Sequence, residues 1–209
     1  TQSVMLLNCV AELRRAKDTA EFFDGMGVEE QGLWMNDMLA HAQFPPQGAN
    51  APHVCFLDTG VNRGHPLLEP LLADPDLHSV NPAWGVDDTA NHGTGLAGLA
   101  AYGDLTHVLS GNDAITPAHR LESVKLTPAE GSNEGDSKHH AYLFAEAVSR
   151  PEITAADRRR VFTSAVTASD YRDRGRPSSW SSMVDRMAAD VDNAGQYPRL
   201  FVLAAGNTR

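Results

Sequence analysis

Apolar residues recur along the chain in two rhythms, one helical and one typical of strands covered on both faces. Near the start, Val10, Leu13, Ala16, Ala20 and Phe23 fall three or four residues apart, with Ala, Glu, Arg and Lys between them. That spacing predicts an amphipathic helix, which Gly25 and Gly27 close. A second helical segment is expected around Leu33 to Ala42, with Trp34, Met38 and Ala42 on one face. The run Pro45-Pro46-Gln47-Gly48-Ala49-Asn50-Ala51-Pro52 then breaks any regular element. It divides an N-terminal helical extension, residues 1–44, from a main domain over residues 53–209.

Within the main domain the rhythm changes. His53 to Leu57 (HVCFL) is continuously apolar, as a strand with both faces covered would be. Residues 61–91 are rich in Pro, Asp and Asn and read mostly as loop. His92-Gly93-Thr94-Gly95 opens a small-residue helix, Leu121 to Leu126 (LESVKL) reads as a short strand, and Thr127 to Ser137 as a loop. A helix follows over His140 to Arg150, with Leu143, Phe144, Ala147 and Val148 as its apolar face. Val161 to Val166 is strand-like. Trp180, Met183, Val184, Met187, Ala188 and Val191 mark a further helix that stops near Gly195, and Leu200 to Ala204 is a strand running into Ala205-Gly206-Asn207. Strands alternating with helices predict an α/β fold, a mainly parallel sheet flanked by helices.

Composition narrows what such a domain does. With 209 residues, 42% apolar and 21% charged, the sequence is long and apolar enough to bury one substantial core. Seventeen Lys plus Arg against 27 Asp plus Glu give a net charge of −10, a field that opposes binding to phosphate backbones, so no nucleic-acid partner is expected. No apolar stretch approaches membrane-spanning length, and no membrane partner is expected. The opening TQSVMLLNC lacks a basic n-region and a small-residue cleavage site. Cys9 and Cys55 allow at most one disulfide, and Cys55 reads as a small buried hydrophobe. These two features tilt the expected location towards the cytoplasm.

Three short motifs carry the chemistry: Leu57-Asp58-Thr59-Gly60, His92-Gly93-Thr94-Gly95 and Ala204-Ala205-Gly206-Asn207. Singly, each has a bland reading: a capped turn, a helix start and a left-handed turn. Yet Asp58, His92 and Asn207 all fall at element ends, where parallel sheets build sites. A second Asp-Thr-Gly, which an aspartic protease would need, is absent. Together and in this order the motifs resemble the subtilisin-like serine proteases, the subtilases. His92-Gly93-Thr94-Gly95-Leu96-Ala97-Gly98 matches that family's H-G-T-x-x-A-G pattern at every specified position.

The resemblance implies a three-layer, subtilisin-like fold and peptide-bond hydrolysis of a peptide or protein substrate. Asp58 would orient the imidazole, His92 would act as general base, and Asn207 would donate to the oxyanion. Gly93 is expected to let the backbone pass close to substrate. The family's nucleophile follows the A-G-N strand in a G-T-S motif, whereas this sequence ends at Arg209. The triad serine is therefore expected beyond residue 209. Residues 53–209 would then be a partial peptidase domain, incomplete at its C-terminus and inactive alone. Its sheet edge would be open to its own C-terminal fragment as a partner. The different-class alternative is a subtilase-like scaffold kept for binding or structure without catalysis.

Four further features are weighed against plainer readings. Ser178 and Ser179 are expected to cap a helix rather than act as nucleophiles. Ser164 resembles the serine of the family's S-x-G substrate-binding strand, but Val166 stands where glycine is usual, and a core strand fits as well. Asp74, Asp76, Asp87 and Asp88 invite a calcium reading, although no regular ligand spacing supports it, and acidic solvent-facing loops are the expectation. His139 and His140 are adjacent, so their rings cannot share one helix face and no zinc site is expected. No other cofactor is implied.

Overall fold

The computed structural model describes residues 23, 25–110, 114–128, 139–167 and 176–206. The helix expected over residues 10–23 lies outside the described residues apart from Phe23. The second helix is present, but begins earlier than its apolar spacing suggests. α1 spans Val28–Ala40, with Glu29 and Glu30 in its first turn complementing the helix dipole. Ala42 leaves the helix and forms a parallel bridge with Ile115. Met38 is buried in the same cluster as Phe56, Leu68, Leu71, Leu72 and Ala97, and Phe44 packs against it. Residues 28–44 thus share a core with the main domain.

Five strands form a single parallel sheet: β1 (His53–Asp58), β2 (Leu77–Ser79), β3 (Arg120–Lys125), β4 (Arg160–Ser164) and β5 (Leu200–Leu203). Their order is β2-β3-β1-β4-β5, so β1 is central; the chain first fills one side of it, β2 at the edge and then β3 between, and afterwards the other side with β4 and β5. Such a reversal leaves a crevice at the carboxyl end of the central strand. The helices are α2 (His92–Tyr102), α3 (Leu105–Ser110), α4 (His140–Thr154) and α5 (Ser179–Ala188). β2 is a correction to the sequence reading of residues 61–91 as loop. Its three residues hold no apolar run of their own and are strand only because β3 pairs with them.

Side-chain parity along β1 sorts the core into two layers. Phe56 packs with Ala97 and Ala101 of α2, whereas Cys55 and Leu57 pack with Leu143, Phe144, Ala147 and Val148 of α4. Sheet and two helical layers give a three-layer α/β fold. Asp58 has the parity of Phe56 and so belongs to the α2 side. β3 (RLESVK) mixes apolar residues with Arg120, Glu122, Ser123 and Lys125, yet every position is buried. Its charged side chains are accommodated by partners, with Arg120 donating to the carbonyls of Pro45 (2.6 Å) and Pro70 (3.1 Å) and Lys125 Nζ to that of Asp87 (2.6 Å).

β5 forms one edge of the described sheet. Leu200 and Val202 are 60% and 54% exposed, whereas the intervening Phe201 stacks on Phe162. Register pairs Leu200 with Val161 and Val202 with Thr163. These two residues therefore face the α2 side of the sheet, and an apolar strip on that side is uncovered.

Candidate active site

Asp58 is the last residue of β1, and its side chain is 1% exposed. Its Oδ1 accepts from the Thr59 N–H at 2.8 Å and meets His92 Nδ1 at 2.6 Å. An ionised carboxylate can only accept, so against it Nδ1 carries the proton and the Nε2 lone pair is left free. The His92 side chain is 51% exposed. One ring edge is thus anchored in the core while the ring itself remains reachable. Asp58 Oδ2 is buried and has no hydrogen-bond partner among the described residues.

The start of α2 explains how the imidazole reaches that strand. Asn91, at the N-cap, adopts φ 60° and its side chain makes no cap bond. First-turn N–H groups need acceptors from elsewhere. Gly93 N–H donates to Thr59 Oγ1 at 3.0 Å and Thr94 N–H to Asp88 Oδ2 at 2.8 Å. The approach is close enough that a Cβ at Gly93 would lie 2.2 Å from the Gly60 carbonyl oxygen. Gly93 is buried, so its expected role beside substrate is corrected. The close neighbour is the β1 turn, not the open side of the site.

Asp88 is the residue that motif reading missed. Its Oδ1 accepts from Thr59 Oγ1 (2.8 Å) and Ala90 N–H (2.9 Å), and its Oδ2 accepts from Thr94 N–H and from Thr94 Oγ1 (2.7 Å). Burial pushes its pKa up, but the Thr94 hydroxyl and N–H, the Thr59 hydroxyl and the Ala90 N–H together pull it below the ordinary aspartate value. The available signal was an acidic residue four positions before a helix start, where an anion is favoured. Beside Asp87 it looked like one more loop carboxylate.

The four loop aspartates do not gather. Asp74 is exposed and pairs with Arg63 (3.1 Å), Asp76 is buried against Arg158, and Asp88 is buried as above. The expectation of solvent-facing loops is thus corrected for Asp76 and Asp88. No group of three His, Cys, Asp or Glu able to hold a metal ion occurs among the described residues.

Ser164 is buried, and its hydroxyl donates to the Leu57 carbonyl at 2.8 Å, tying β4 to β1. Ser178 caps α5 in a reciprocal capping box with Ser181. Ser179 Oγ lies 3.1 Å from His139 Nε2, a serine–imidazole contact away from the Asp58–His92 pair. There, however, His139 Nδ1 accepts from the Ala141 N–H. Nε2 therefore carries the proton and cannot draw one from the serine. Asn207 lies outside the described residues; the strand leading to it, β5, ends at Leu203 on the sheet end where Asp58 stands.

A parallel α/β sheet with a buried carboxylate on its central strand and an imidazole at a helix start is an arrangement able to move a proton, of the kind hydrolases use. The subtilase family model matches residues 49–209, and the chain belongs to that family of serine-peptidase ancestry. α1 precedes the matched region. No curated protein is similar enough to this one to match it.

Proposed function

We propose that the protein supplies, from these residues, the acid–base half of a serine endopeptidase site. In this reading Asp58 holds the His92 imidazole in its Nδ1–H tautomer, and His92 Nε2 takes the proton of a serine hydroxyl as it attacks the scissile carbonyl. The same nitrogen then delivers that proton to the leaving amine. Asp58 offsets the charge on the imidazolium without taking the proton. Asn207 donates its side-chain amide to the oxyanion, a contact that gains strength only once the carbonyl has been attacked. The serine comes from a segment that follows residue 209, as the family resemblance implies. The observation that carries the reading is the 2.6 Å contact between a buried Asp58 and a half-exposed His92.

The uncovered apolar strip at Leu200 and Val202 supports the same reading, since the segment bearing the serine is the occupant such a face needs. Peptide or protein substrates are expected, with the protein's own C-terminal continuation as partner.

The first measurement is the intact mass of the purified protein under denaturing conditions, followed by labelling with a serine-directed fluorophosphonate. A labelled serine after Asn207 is expected, with none among residues 1–209. In the same polypeptide left unlabelled, His92→Ala lowers kcat/KM by roughly 10⁴- to 10⁶-fold, the range that loss of a triad member produces. Turnover that survives His92→Ala would sink the assignment. A protein with no reactive serine anywhere would instead be a subtilase scaffold kept for binding.

A further inference from the structure

Two hydroxyl relays converge on one buried carboxylate beside the Asp58–His92 pair. In the first, the Gly93 N–H donates to Thr59 Oγ1 and that hydroxyl donates to Asp88 Oδ1. In the second, the Asn62 N–H donates to Thr94 Oγ1 at 3.0 Å and that hydroxyl donates to Asp88 Oδ2. Each relay begins on a backbone N–H, so each hydroxyl must point its proton at Asp88. Asn62 also grips the Asp88 backbone from both sides, accepting from its N–H at 3.0 Å and donating to its carbonyl at 2.9 Å.

The residues so joined are the immediate neighbours of the pair. Thr59 follows Asp58, and Gly93 and Thr94 follow His92. We propose that Asp88 is a positioning residue for the pair: its buried carboxylate fastens the end of β1 to the first turn of α2 and thereby fixes where the imidazole meets Asp58. The inference rests on reading Asp58 and His92 as the acid–base couple. It adds a residue that touches neither substrate nor the reacting atoms.

An amide cannot replace this carboxylate. Both oxygens take one hydroxyl and one backbone N–H, so an asparagine must set its NH2 against either the Ala90 or the Thr94 N–H. Turning a hydroxyl round to accept from the NH2 would take its proton off Asp88 and leave the relay undirected. A displacement well under 1 Å is enough to spoil a contact as short as that between Nδ1 and Asp58.

The test reads the imidazole rather than activity. In the ¹⁵N-labelled intact protein at alkaline pH, the two ring nitrogens of His92 report the tautomer directly. The parent protein is expected to hold the Nδ1–H form, and Asp58→Asn to abolish that preference. Asp88→Asn is expected to lower the Nδ1–H population to less than half of its parental value while circular dichroism remains unchanged. Should Asp88→Asn not fold, Thr59→Val removes one relay and lowers the population less, whereas Thr59→Ser keeps the hydroxyl and restores it. A folded Asp88→Asn protein with the parental tautomer overturns the proposal, as does identical behaviour of Thr59→Val and Thr59→Ser. Because no nucleophile is needed, a failed peptidase assay leaves this result standing, and the reverse also holds.

Discussion

The two ends of the sheet both bury carboxylates, but they satisfy them with different chemistry. At the carboxyl end, Asp58 and Asp88 are held by an imidazole, hydroxyls and backbone N–H groups. At the amino end, Glu122 accepts from Arg160 Nε (2.6 Å) and Nη2 (3.0 Å) and from Arg158 Nη1 (2.8 Å), while Asp76 also binds Arg158. Guanidinium is never deprotonated, so it neutralises buried charge permanently. Imidazole holds charge only when needed, and hydroxyls fix geometry without adding any. Even the buried ammonium near the site, that of Lys125, donates to a carbonyl, that of Asp87. Lys125 stands beside Asp58 in the strand register, yet it donates to that carbonyl while the carboxylate meets His92. Among the described residues the guanidinium–carboxylate pairs of the sheet thus lie at the end away from Asp58 and His92.

If that division holds, the largest loss of stability comes from the amino end. Glu122→Gln leaves Arg160, whose side chain is 4% exposed, without a counter-charge. Removing one partner of a buried pair costs about 3–5 kcal/mol, a large share of a domain's whole stability. Asp58→Asn at the other end should cost far less, because no fixed charge is stranded. Chemical denaturation of the two variants side by side checks this. Equal losses would show that the ends do not differ in the way their chemistry suggests.

A smaller effect probes the site end by shape alone. Gly93→Ala places a methyl 2.2 Å from the Gly60 carbonyl oxygen, which is backbone and cannot swing aside. Overpacking of this kind typically costs about 1–3 kcal/mol. The displacement falls between β1 and α2, so the His92 tautomer should change together with the unfolding midpoint. Gly95→Ala, two positions on and with nothing within 4 Å of the added carbon, is the control: it should leave the tautomer unchanged and, as a Gly→Ala change inside a helix, raise the midpoint rather than lower it.

This contrast bears on what the amino-acid sequence discloses. That Asp58 and His92 fall at element ends was legible because each sits at the edge of an apolar run, in a motif whose glycine permits an unusual approach. Asp88 was not: its partners are hydroxyls 29 and 6 residues away, and nothing local distinguishes it from Asp87. The charged positions of β3 were silent in a different way. Leu121 to Leu126 read as a short strand, but that Arg120 and Glu122 are buried within it could not be read locally, because their partners come from Pro45, Arg158 and Arg160, set by topology rather than by neighbours in sequence. Strands with their own apolar runs were found to within a residue or two. β2 was missed because its neighbour makes it a strand.

Acidification sharpens the comparison with the gentlest effect, a slope rather than a collapse. Burial lowers the pKa of His53 below 6.5; Glu122 and Asp76 oppose this, Arg158 adds to it, and a hydrogen bond to the Ala51 carbonyl opposes it. His78 is lowered likewise, chiefly by burial. A depressed histidine takes up its proton more readily once unfolded, so its contribution is complete above about pH 6.5 and is lost as pH falls towards the lowered folded value. Asp88 is depressed too, but its ordinary value is 3.8, so its contribution persists until the solution is far more acidic. The melting temperature should therefore begin to decline below about pH 6.5, as His53, His78 and His119, all lowered chiefly by burial, take up protons, and decline again below about pH 4, where Asp88 contributes. His53→Asn keeps an N–H to offer Ala51 and removes the titration, so it should flatten the first decline and leave the second. Asp88→Asn should do the opposite. A first decline that persists undiminished in His53→Asn would mean that His53 does not contribute to it.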